Sequence, residues 1–181
     1  MNTSVKKMLA VVVAAGICSG AVAAVKDSDL DLRVQATLEN FYSQNPSHHE
    51  LVDKAAGVLV FPQITKAGVG IGGERGRGGL RVNGNEVGRY EIKGASVGAT
   101  LGYSGRSEVI LFMTQEARDK FELSKGWTIG ADVGVAVASK GAGAQYDSET
   151  LQRPILAFVI GEHGLIGDVS LQGEKITRVR H

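Results

Sequence analysis

Three segments of this chain alternate ordinary apolar residues with residues that have almost no side chain, and this pattern limits the fold more than any other. In the first, Val69 and Ile71 alternate with Gly68, Gly70 and Gly72. In the second, Val97, Ala99, Leu101 and Tyr103 alternate with Ser96, Gly98, Thr100 and Gly102. In the third, Ile129, Ala131, Val133, Val135 and Val137 alternate with Gly130, Asp132, Gly134, Ala136 and Ala138. A period of two is the period of a strand, so each segment has one apolar face and one face of tiny residues. Glycine loses the most backbone freedom on folding and packs nothing. Its repeated use on one face therefore means that something approaches the backbone closely there: a helix, a second sheet layer, a tight barrel bend or a ligand.

The remaining segments complete an α+β pattern. Leu30, Val34, Leu38 and Phe41 recur at helical spacing among polar residues, predicting an amphipathic helix over 30–42 with Ser28 as its cap. A short helix is expected from Ser47, with Ser47 and Glu50 as a capping box, and another after Thr114, carrying Ala117 and Phe121. Asn83-Gly84 is a strong hairpin turn between Gly79–Val82 and Val87–Ile92. Val109–Met113 and Ile155–Ile160 are continuous apolar runs and read as buried strands, and 165–171 with 176–179 reads as a closing hairpin. Short turn-rich connections make the expected sheet largely antiparallel, as layers or barrel-like, with an N-terminal helix and one or two short helices.

Lys6 and Lys7 precede an apolar run from Met8 to Ile17, and Ala21, Ala23 and Ala24 follow, which is the plan of a secretory signal peptide over 1–23. The expected product is exported, to the periplasm or the periphery of the envelope membrane, with a helical region over 24–54 and a β-rich region over 55–181 in one domain. Ile17 beside Cys18 fits lipoprotein processing poorly, and cleavage after Ala23 would remove this lone cysteine. Of 20 basic residues, loss of Lys6 and Lys7 leaves 18 against 19 acidic ones, so no overall charge favours nucleic acid. Attraction for an anion has to be local.

The densest glycine and arginine lie at 67–79, AGVGIGGERGRGG. Gly68, Gly70 and Gly73 match GxGxxG, but a dinucleotide fingerprint opens a helix, and this one runs on into Arg75, Arg77 and a strand. Lys66, Arg75, Arg77 and Arg81 are the candidates to hold a phosphate, through forked arginine contacts and backbone N–H groups, against a mixed-charge solvated rim as the plain reading. Gly70, Gly72 and Asp132 could floor a polar pocket, the alternative being a structural ion pair for Asp132. The stripe Leu30, Val34, Leu38 and Phe41 either packs on the domain or contacts a membrane, and the acidic start of that helix argues against the second. His48, His49 and Glu50 lack the spacing of a metal site, and no nucleophile elbow is present. No cofactor and no catalytic residue is expected.

AGVLVFP at 56–62, the Gly-rich strand through Glu74, RSEVILFMT at 106–114, SKGWTIGADV at 124–133 and GLIGDVSLQGEKI at 164–176 together resemble the SYLF domain family. The resemblance implies a lipid-binding, phosphoinositide-binding and actin-binding module, as in eukaryotic endocytic adaptors. In exported bacterial relatives it implies a lipid-binding protein, and an actin partner is set aside because fold carries over more readily than partner. The expected function is thus a non-enzymatic module recognising anionic phospholipid head groups, the competing one a structural or protein-interaction domain without a lipid ligand.

Overall fold

The computed structural model describes residues 19–129, 135–137, 152–161, 164–165, 171 and 173–179, with side chains described outside 19–27, 67–71, 96–104 and 136–137. The elements are α1 (Ser19–Gln44), α2 (Ser47–Lys54), β1 (Gly57–Val82), β2 (Asn85–Phe112), α3 (Gln115–Leu123), β3 (Trp127–Thr128), β4 (Ala136–Val137), β5 (Ile155–Gly161), β6 (Gly164–Leu165) and β7 (Lys175–Arg178). The strands form one curled sheet ordered β3-β7-β2-β5-β4, with β1 on β2 and β6 on β5. Among the described residues every pairing is antiparallel except β4 with β5.

The expected short hairpin is in fact one pair of 26- and 28-residue strands, turning at Asn83 and Gly84 with φ of 50° and 79°. Positive φ at both turn residues gives the tight two-residue connection between Val82 and Asn85. Fully extended, a 26-residue strand spans about 85 Å, whereas a globular chain of this size is about 40 Å across. The hairpin must fold over, and its register shifts at Phe61/Ile64, Gly68/Gly70 and Leu80/Arg81 supply bends.

Folding over explains two of the inward glycines. A Cβ on Gly76 would stand 2.8 Å from the Gln63 carbonyl oxygen and 2.9 Å from Ile64 Cγ1. On Gly78 it would stand 2.6 Å from Phe61 Cδ1 and closer still to the Val60 carbonyl oxygen. The start of β1 therefore lies against its own end. At these two positions, which lie beyond the three alternating segments, the close neighbours are the backbone and side chains of the start of β1, with Ile92 beside Gly76.

The sheet separates two apolar cores. Its inner face carries Leu59, Phe61, Ile64, Leu80, Tyr90, Ile92, Ile110, Phe112, Ile155, Ala157, Val159 and Ile176 against α3, where Phe121 packs with Phe112 and Trp127. Its outer face carries Val58, Val60, Val109, Leu111, Leu156, Phe158 and Ile160 against α1. The two buried runs in β2 and β5 are apolar continuously because both of their faces are covered.

Local signals held in part. Thr114 caps α3 by accepting from the Ala117 N–H at 3.2 Å. Ser28 lies inside α1, since nothing from Ser19 to Asp27 breaks a helix. At α2 the side-chain acceptor is Asn45, whose Oδ1 takes the Ser47 N–H at 3.0 Å in an Asx turn, and the Ser47 capping box does not form. Of the third predicted strand, Ile129 lies in a turn bonded to Glu174, Ala136–Val137 pairs with β5, and 130–134 and 138 lie outside the described residues. The predicted closing hairpin is likewise rearranged, because β6 pairs with β5 while β7 pairs with β2 and β3.

Gly78→Ala is expected to lower stability in urea denaturation by about 1–3 kcal/mol or more through overpacking. Gly73→Ala, where a Cβ meets nothing within 4 Å, is expected to change it little.

Candidate functional site

Strand alternation distributes the predicted cations. From Ile64 onward the even positions of β1 face inward, as Ile64 and Leu80 in the inner core show, so Lys66 and Glu74 point inward while Arg75 and Arg77 point outward. Lys66 Nζ lies 3.8 Å from Glu74. Arg81 is outward but tied to the helix, donating from Nη1 to Gln35 Oε1 at 2.9 Å and from Nη2 to the Asp31 carbonyl at 3.4 Å. The four cations expected at one phosphate are therefore in three places, and only Arg75 and Arg77 stay together.

Those two join residues that sequence order separates. Arg75 pairs across the sheet with Lys93, and Lys93 with Lys175, so three cations form one row over β1, β2 and β7. The next row is Arg77, Glu91 and Thr177. Lys93 Nζ reaches Glu91 at 2.7 Å and Arg75 donates to the same carboxylate at 2.5 Å, and these two cations, Lys93 foremost, hold Glu91 below the usual carboxylate range. The Arg75 and Lys93 side chains are 67% and 60% exposed, and Arg77 and Lys175 are exposed as well. Like charges directly opposite one another are unfavourable, and one glutamate against four cations leaves this patch with a formal charge of +3. The signal for Lys175 was register, which no local reading of the sequence contains.

The inner face holds the opposite arrangement. Arg106 donates to Glu74 at 2.6 Å and to Glu108 at 3.1 Å, and also to Glu174. Glu108 is fully buried and Glu174 nearly so. Burial works against the Arg106 charge, but the three carboxylates outweigh it and raise its pKa further. Burial pushes the Glu108 carboxyl up, and burial together with the Glu108 charge pushes Glu174 up to about 8. Three carboxylates against Arg106 and Lys66 exceed the cations by one, so the cluster keeps a proton near neutrality.

The other predicted positions are placed as follows. Val34, Leu38 and Phe41 are buried against the outer face of the sheet and Leu30 packs beside them, so the stripe is not presented outward. Lifting it off would also uncover Val60, Leu111 and Phe158, which the departing helix could no longer cover. Gly70 and Gly72 are paired in the sheet with Gly98 and Ser96, and Asp132, the charged member of the expected pocket, lies outside the described residues. His48 is a core side chain. Its Nδ1–H donates to the Phe41 carbonyl at 2.6 Å, its ring stacks on Phe41, and burial lowers its pKa.

The proton held at Glu174 sets a pH dependence. A carboxyl whose folded pKa is about 8, against an ordinary 4.5, binds more protons folded than unfolded between those values. Its stabilising contribution is complete below about pH 4.5 and is lost as pH rises through about 8. Thermal unfolding is expected to show this decline in the wild type, and Glu174→Gln is expected to flatten it.

No curated protein matches the chain. Residues 93–181 match the Ysc84 family model, described as Las17-binding protein actin regulator. The match begins within β2 at Lys93 and includes three of the resembling blocks, while 56–62 and the Gly-rich strand lie before it. The matched segment nevertheless draws on that preceding part, since β2 is paired with β1 along most of its length. Residues 93–181 thus match the Ysc84 (SYLF) family, the same family that the strand blocks resemble and one of binding modules.

Proposed function

We propose that this protein is a non-enzymatic module of the bacterial envelope that binds anionic phospholipid head groups through the outward patch of Arg75, Arg77, Lys93 and Lys175. The observation that carries this reading is the cross-strand row of three exposed cations, which has too few carboxylates to neutralise it. Each such cation near an anionic bilayer contributes about 1 kcal/mol, so the patch supports weak, reversible and salt-sensitive attachment. Export is proposed from Lys6, Lys7 and the apolar run to Ile17. No helix among the described residues is long and apolar enough to cross a membrane.

The family description names a protein partner, and an acidic protein surface would meet the same cations. A membrane is favoured because the cations are spread over three strands on the outer face of the curled sheet rather than gathered in a concave site.

Co-sedimentation with phosphatidylglycerol-containing vesicles tests the proposal. Binding is expected to rise with anionic lipid, fall with salt, and weaken about fivefold for each of Arg75→Ala, Lys93→Ala and Lys175→Ala. Binding that ignores salt and survives the triple substitution would overturn it.

A further inference from the structure

A cleft of about 400 Å³ opens between α1, α2 and the β1–β2 turn, separate from the cation row. Its floor is apolar, from Leu38, Val52 and Val58, and its rim carries three different polar groups: the Arg81 guanidinium, the Tyr42 hydroxyl and the Asp53 carboxylate. Arg81 is positioned by Gln35 through Nη1, and its Nη2 makes only the long contact to Asp31. The guanidinium is thus oriented by the protein, and each of its two Nη groups keeps an N–H beyond these contacts. Asp53 is exposed, so its charge is available at the rim. Burial, followed by Asp53, pushes the Tyr42 hydroxyl up while Arg81 pulls it down, which places both charges within electrostatic range of that hydroxyl.

We infer that this cleft binds a zwitterionic phosphate ester bearing an amine, with the phosphate on Arg81 and Tyr42 and the ammonium on Asp53. A cation alone would accept any anion. A carboxylate on the same rim penalises a simple phosphate and favours a ligand carrying a positive group, and Tyr42, kept protonated, donates to a phosphate oxygen. The apolar floor suits the carbon chain between or beside the two charges. This site stands independently of attachment through the outer row.

Calorimetric titration of the full chain with glycerophosphoethanolamine is the direct test. Saturable binding is expected, with glycerol phosphate and ethanolamine each about tenfold weaker or more. Asp53→Asn, at an exposed position, is expected to abolish the preference for the amine-bearing ester. Arg81→Lys, which keeps the charge but loses the fork, is expected to weaken binding of both phosphates about tenfold. Arg75→Ala with Arg77→Ala is expected to leave all of these unchanged, which separates this site from the membrane patch. Retention on uncharged phosphatidylethanolamine vesicles at high salt would identify a lipid as the source of the head group, and soluble binding without retention a free ester. Absence of saturable binding in the wild type, or the same preference in Asp53→Asn, overturns the inference.

Discussion

The contact of β1 with itself organises this protein. A hairpin with strands of 26 and 28 residues is too long to lie flat in a chain of this size, and it becomes compact because backbone packs on backbone where Gly76 and Gly78 meet Gln63, Val60 and Phe61. That overlap depends on the absence of a Cβ at two positions. It curls the sheet, and the curl creates an inner face for α3 and an outer face for α1.

The same alternation that builds the two cores sorts the charges. Lys66 and Glu74 turn inward to a buried Arg106 cluster with one carboxylate too many, whereas Arg75, Arg77, Lys93 and Lys175 turn outward around a single glutamate. The chain is nearly neutral as a whole but strongly divided by face. Inside, low dielectric makes the excess negative charge retain a proton. Outside, water screens the excess positive charge and leaves it available to an anionic surface.

Elements specified by neighbouring residues were legible without coordinates. Asn83-Gly84 has the required positive φ at both positions, Thr114 caps its helix, Val34, Leu38 and Phe41 share one helical face, and the runs at 109–112 and 155–160 are buried strands. Competing local options were harder to decide. Asn45 and Ser47 both offer side-chain oxygens at the start of α2, and the Asx turn prevails. At the sheet's other edge, β7 joins β2 and β3 rather than β6, a choice made by sheet order and not by the turn residues around Gly173.

For the candidate site, sequence determined the chemical types: arginines near glycines, local rather than global basicity, and an α+β framework of antiparallel strands. Tertiary structure decided the company each residue keeps. Lys66 and Arg75 are nine positions apart yet on opposite faces, while Arg75 and Lys175 are a hundred positions apart and share one row. Parity along a strand is readable from a sequence, but register between strands is set by bulges and by which backbones pair. The bulge between Phe61 and Ile64 reverses the parity of β1, whose inward positions are odd before it and even after it. The resemblance of the strands pointed to a family whose match covers the C-terminal half. Where its charges meet is a property of the folded sheet.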